Sequence, residues 1–220
     1  MYVYTGKQGK GKTYSLVEYL IDNNKDIKVF SNISNIQNVD DITYFTGFKE
    51  LIELKHKLDR EEIKTDKQLV FVYDEIFSEL QKHSKINLEV MDFLCQMRKR
   101  KIIFLTTAQE WAEIPLTFRR FCRYQIDCNM INIFITGILI KHFNDAENMK
   151  WDEELQEHIA PLIDTTITHC RVNIANSYDT FLRISSSPAR PSASAADDKP
   201  ITEEKSENFD KILKSFFENK

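Results

Sequence analysis

Gly6-Lys7-Gln8-Gly9-Lys10-Gly11-Lys12-Thr13 decides how this chain is read. The run fits G-x-x-x-x-G-K-[ST], and its surroundings fit too: Tyr2 to Thr5 before it has strand composition, and Thr13 to Asp22 after it carries Leu16, Val17, Leu20 and Ile21 on one helical face. Three glycines let the backbone curl until its N–H groups face inward, and the start of a helix adds positive potential, so the curve suits a chain of phosphates. Gly6, Gly9, Lys10, Gly11, Lys12 and Thr13 are the candidate nucleotide-binding residues. Within them Lys12 reaches the terminal phosphates and Thr13 offers a hydroxyl to Mg²⁺.

Outward from this loop, the next requirement is an acid at the same edge of the same sheet. Leu69-Val70-Phe71-Val72-Tyr73-Asp74-Glu75 supplies two: Gln68 to Tyr73 is the continuous apolar run expected of a parallel strand covered on both faces. Asp74 is then placed to hold Mg²⁺, and Glu75 beside it to orient and polarise an attacking water. Ile102 to Thr107 reads as another buried strand, and Gln109, two residues past its end, emerges at the same edge as a candidate sensor of the terminal phosphate. A positive charge facing that phosphate is also wanted. Arg98, Arg100, Arg119, Arg120 and Arg123 are candidates, with Arg98 and Arg100 favoured as arginines acting across subunits.

The remaining chain fits an α/β fold, a P-loop NTPase with a mostly parallel central sheet flanked by helices. Ile27 to Ser31 reads as a strand, and Phe48 to Leu58 and Leu88 to Met97 as helices. Cys122 to Asp127 and Ile131 to His142 read as a hairpin joined at Cys128-Asn129-Met130 and bulged at Gly137, an antiparallel extension of the sheet. Thr165 to Ile174 adds a further strand. From Ser185 the composition turns to Ser, Ala, Pro and Asp without apolar periodicity. The expected organisation is therefore an ATPase domain over 1–184, a disordered linker over 185–207 and an amphipathic tail helix over 208–220, with Phe209, Ile212, Leu213, Phe216 and Phe217 on one face.

Bulk properties exclude several classes. The apolar run Ile131 to Ile140 is half the length of a spanning helix, so no transmembrane segment is expected, and the opening residues lack a secretory pattern. The four cysteines form no C-x-x-C pair and read as buried thiols in a reducing, cytoplasmic setting. A net charge of −4 gives no global attraction to nucleic acid, so binding would fall to the clusters Arg98-Lys99-Arg100-Lys101 and Arg119-Arg120 with Arg123. A thymidine-kinase-like reading of Asp74-Glu75 fails for want of paired zinc-type cysteines, and Asn24-Lys25-Asp26 lacks the spacing of a guanine-reading motif.

The order of these features resembles the FtsK/HerA superfamily of ring-forming ATPases, and within it the compact viral DNA-packaging and Zot-like phage assembly ATPases. The resemblance rests on Gly6 to Thr13, Phe30-Ser31-Asn32, Asp74-Glu75, Arg98 to Lys101 leading into Phe104-Leu105-Thr106-Thr107-Ala108-Gln109, Ile114-Pro115 with Arg119-Arg120, and Tyr178-Asp179-Thr180, and so spans Met1 to Ile184. It implies ATP with Mg²⁺, self-association in a ring, typically a hexamer, and translocation of double-stranded or single-stranded DNA, with Gln109 as sensor and an arginine acting across subunits. The tail helix would lie against its own core, dock on another protein such as a capsid vertex or assembly protein, or touch a membrane surface, and the chain would work in the host cytoplasm or with the virion. The alternative it allows is a Zot-like assembly or secretion ATPase acting on protein at a membrane, a branch that commonly continues into a membrane span.

Overall fold

A computed structural model of the chain describes residues 1–76, 88–133, 136–154 and 156–178. The expected domain end at residue 184, the linker, the tail helix and Asp179-Thr180 lie outside the described residues.

Alternation of side chains across the strands builds two cores. In β4 (Gln68–Tyr73), Phe71 and Tyr73 turn to one face while Val70 and Val72 turn to the other, and all four are at most 2% exposed. The first face adds Val3 of β1 (Tyr2–Thr5), Phe30 of β2 (Ile27–Ser31) and Phe104 of β5 (Ile103–Thr107). It is covered by α2 (Phe48–Asp59) and α3 (Leu88–Met97) through Leu51, Leu54, Phe93 and Leu94. The second face is covered by α1 (Lys12–Asp22) through Leu16, Val17 and Leu20. Leu16, Val17 and Leu20 are fully buried, each contributing about 1.5–3 kcal/mol of transfer free energy.

Among the described residues, eight strands form one sheet in the order β10-β7-β6-β1-β5-β4-β2-β3. The stretch from β6 to β3 (Ile42–Tyr44) is parallel throughout. The β6 (Tyr124–Ile133), β7 (Thr136–Asp145) and β10 (Leu162–His169) strands pair antiparallel. The fold is thus the expected P-loop NTPase architecture with an antiparallel extension. The strand β5 lies between the loop-bearing β1 and the acid-bearing β4, which puts Thr107 and Gln109 between the two halves of the site.

Three expectations are corrected. The hairpin does not turn at Cys128-Asn129-Met130: Ile126 and Cys128 are both buried, so the period-two pattern carries β6 straight through to Ile133. Gly137 is not a bulge, since it stands opposite Asn132 in an unbroken register from Ile133↔Thr136 to Tyr124↔Asp145. Thr165 to Ile174 is not one strand. The β10 strand stops at His169, and Val172–Ala175 forms a short helix, α4, because Tyr14 on α1 accepts the N–H of Arg171 at 2.7 Å and draws the chain across α1, where Ile174 is fully buried. The short β3 and the two-stranded hairpin of β8 (Lys150–Asp152) and β9 (Glu157–Ile159) were not foreseen, since three residues carry too little periodicity to read.

Candidate active site

The loop between β1 and α1 holds three glycines at positive φ, Gly6 at 138°, Gly9 at 75° and Gly11 at 86°. At Gly6 the requirement is spatial as well, because a Cβ there would stand 2.5 Å from the carbonyl oxygen of Cys128 on β6. The projecting part of the β6–β7 hairpin is thus the wall against which the loop is wound, and Met130 and Leu139 close on Gly11 from the same wall. Lys12 folds back over the loop, its Nζ donating to the carbonyls of Gly6 at 2.6 Å and Lys7 at 3.2 Å. The first intrahelical bond runs from Ser15 N–H to Gly11 at 2.8 Å, so the preceding amides at the start of α1 have no helical acceptor and can meet an anion.

On the acid side, Thr13 Oγ1 and Asp74 Oδ2 stand 3.5 Å apart, a hydroxyl and a carboxylate converging as the hard oxygen ligands of Mg²⁺ do. The residues therefore fit a magnesium nucleotide. Asp74 is held from three directions. Thr107 Oγ1 donates to its Oδ1 at 2.6 Å, and Asn32 clamps its backbone, accepting the Asp74 N–H at 2.7 Å and donating to the Asp74 carbonyl at 3.1 Å. Thr107 Oγ1 in turn accepts the N–H of Glu75 at 2.9 Å. Glu75 adopts φ 56°, a left-handed conformation uncommon for a residue with a side chain, directly after the strand that delivers it. Asn32 and Thr107 are the residues whose part here was not read from sequence; each is the polar residue at the carboxyl end of an apolar strand, which was the available signal.

Gln109 is joined to the loop through its backbone, its carbonyl accepting the N–H of Gly6 at 3.1 Å. Its exposed side chain lines a cleft of about 430 Å³ that Lys7 and Lys10 share with Asp127, Asn129 and His142 of the hairpin. Lys10 thus faces this cleft, on the hairpin side of the loop. Tyr178 also approaches the site. Its hydroxyl is held well above its ordinary pKa, first by burial and then by Tyr14 and the Asp74 carboxylate. Burial likewise pushes the Cys128 thiol up to about 11, against the lowering effect of the Ser15 hydroxyl 3.4 Å away, so Cys128 packs as a neutral group behind the loop.

Arg98 and Arg100 are not brought to this site. They follow α3 at the amino edge of the sheet, where the adjoining Lys101 carbonyl accepts a bond from Gln68 at the start of β4. Five residues of strand separate that edge from Tyr73, roughly 16 Å. Arg100 is paired there with Asp59 at the end of α2.

The sequence matches no family model and no curated protein. Among solved structures, the chain is similar to the N-terminal domain of zonular occludens toxin from Neisseria meningitidis, at 17% identity and TM-score 0.48, covering 81% of this chain and 97% of that one. It is similar to the genome packaging NTPase B204 of Sulfolobus turreted icosahedral virus 2, solved with ATP-gammaS, at 13% identity and TM-score 0.48, covering 78% and 96%. A third likeness is to the flagellar accessory protein FlaH of Methanocaldococcus jannaschii, at 14% identity and TM-score 0.47, covering 76% and 89%.

Proposed function

We propose that this chain hydrolyses ATP and uses the energy to translocate DNA, in the manner of a viral genome-packaging motor working in the host cytoplasm. The observation that carries the catalytic half is the convergence of Thr13, Asp74, Thr107 and Glu75 at the mouth of a glycine loop that bears Lys12. The DNA half rests on the FtsK/HerA-like order of sequence features.

In this reading Lys12 and the amides opening α1 hold the terminal phosphates, and Thr13 and Asp74 hold Mg²⁺, which when bound neutralises charge on the phosphate oxygens. Glu75 accepts the proton of the attacking water, and Thr107 keeps the two acids apart by holding the Asp74 carboxylate and the Glu75 backbone at once. Gln109 reports on the terminal phosphate from the central strand. Self-association in a ring would bring an arginine of a neighbouring subunit to the terminal phosphate, and Arg98 and Arg100, at the far edge of their own sheet, are the candidates for that role.

The test is steady-state ATP hydrolysis by the purified full chain with and without double-stranded DNA. Magnesium-dependent turnover that DNA raises several-fold is expected. Turnover indifferent to DNA would move the reading to an ATPase acting on protein, and absence of turnover would sink both.

A further inference from the structure

The cleft that Gln109 lines stands apart from the magnesium-nucleotide site, and none of Lys12, Thr13, Asp74 and Glu75 lines it. Alternation places it on the sheet face opposite α1. Ile126 and Cys128 join the core under α1, which turns Gln125, Asp127 and Asn129 to the other face, and His142 stands directly across from Asp127. The glycine loop therefore separates the cleft from the nucleotide and borders both.

The charges in the cleft are mixed. Lys7 and Lys10 line it, and neither pairs with a carboxylate among the described residues. Two acids line it as well. Glu110 is occupied, its carboxylate accepting the Glu113 N–H of the helical turn that it caps. Asp127 accepts one hydrogen bond among the described residues, from the Thr5 hydroxyl at 3.3 Å, and a carboxylate has room for more donors. Gln109, Gln125 and Asn129 add amides that donate and accept, and Trp111 adds an aromatic ring, with the Arg119 guanidinium 5.4 Å from its centroid.

A bare phosphate would suit the lysines and be repelled by Asp127, whereas an uncharged ligand would leave both lysines unanswered. The occupant must bring negative charge and hydrogen-bond donors together. An unpaired nucleotide does so: its phosphate is anionic, the exocyclic amine of cytosine or adenine donates to a carboxylate, the rest of the base edge meets amides, and the ring stacks on an aromatic side chain. A base stacked inside a duplex cannot enter a cleft of about 430 Å³.

We propose that this cleft binds one nucleoside monophosphate unit, its phosphate on Lys7 and Lys10 and its base edge on Asp127 and Asn129. The unit comes from an unpaired nucleic-acid strand or from a free mononucleotide. The strand source deepens the motor reading and rests on it. Gln109, whose carbonyl accepts the Gly6 N–H at 3.1 Å, then belongs to the wall shared by the strand and the ATP loop.

The experiment is fluorescence anisotropy of a labelled oligodeoxycytidylate of about ten residues, titrated with the full chain without ATP or magnesium, so that binding is read apart from turnover. The wild type should bind it roughly tenfold tighter than the matching duplex or an abasic strand of the same length. Lys7→Gln should weaken binding several-fold and lower the salt slope by about 0.7. Asp127→Ala decides the sign: it should weaken oligodeoxycytidylate binding about tenfold and leave the abasic strand no weaker. Asn129→Ala, at an exposed position, should show the same selective loss and serves if Asp127→Ala fails to fold. Displacement of the strand by an equal concentration of dCMP assigns the site to a free mononucleotide, and a strand held against excess dCMP assigns it to a strand; both uphold the site. Equal affinity for duplex and single strand, an Asp127→Ala chain that grips oligodeoxycytidylate more tightly, or binding untouched by both Lys7→Gln and Asp127→Ala overturns the proposal. Any of these beside DNA-stimulated ATP hydrolysis removes the cleft and leaves the motor, while strand binding that depends on Asp127 in a chain without turnover removes the motor and leaves the cleft.

Discussion

Thr107 Oγ1 donates to Asp74 Oδ1 at 2.6 Å, and the same oxygen accepts the Glu75 N–H at 2.9 Å. One hydroxyl on the central strand therefore sets both the direction of one acid and the backbone position of the next. Thr107→Val keeps the β-branched shape and deletes both bonds. Expected are a stability loss of about 1–2 kcal/mol and a turnover loss of roughly tenfold or more, with a raised Mg²⁺ requirement. Magnesium titrations of ATP hydrolysis check it; unaltered magnesium dependence would reduce Thr107 to packing.

Glu75→Gln keeps size and the left-handed φ of 56° while removing the basic oxygen. Nucleotide binding should persist and turnover should fall by about 10²-fold or more. Equilibrium binding of a fluorescent ATP analogue beside single-turnover hydrolysis separates the two effects, and a variant that turns over normally would disqualify Glu75 as the base.

Gly6 and Gly9 should differ in their tolerance of a methyl group. Gly9→Ala meets nothing within 4 Å, so its cost is the left-handed backbone alone, about 1–2 kcal/mol. Gly6→Ala puts Cβ 2.5 Å from a backbone oxygen of β6, which cannot swing away, and should cost more than Gly9→Ala and distort the loop. Thermal melting of both variants gives the order, and equal losses would show that the hairpin wall yields.

Acid stability should pass through Lys55, buried with its ammonium 2.9 Å from both Asp59 and Asp92. Asp59 is held below its ordinary 3.8 by the hydrogen bond from Lys55 first, then by that from Arg100. Its contribution is complete above that ordinary value and is lost as pH falls through the lower folded value. Lys55 itself is held above 10.5, chiefly by Asp92, so its contribution is complete below that value and is lost as pH climbs past the folded one. Lys55→Met should flatten the melting temperature against pH on both limbs. Melting curves collected from about pH 2 to 11 test this; limbs as steep as the wild type's would place the acid sensitivity elsewhere.

Local chemistry in the sequence alone determined the glycine loop, the helix it opens, the apolar strands and the acids that follow them, since each is a short pattern whose physical reason lies within a few residues. That is why Gly6 to Thr13, Gln68 to Glu75 and the boundaries of α1 and α2 were legible. Which strand neighbours which is another matter. Only the tertiary structure put β5 between the loop and the acids, so that Thr107 bridges them, and only it sent Arg98 and Arg100 to the far edge. The hairpin was misplaced because Asn129 reads locally as a turn, whereas the burial of Ile126 and Cys128 against α1 holds the strand extended. Pairing energy comes from residues distant in the chain, as in the 2.5 Å approach that Cys128 of β6 imposes on a Cβ at Gly6, and no local window contains it.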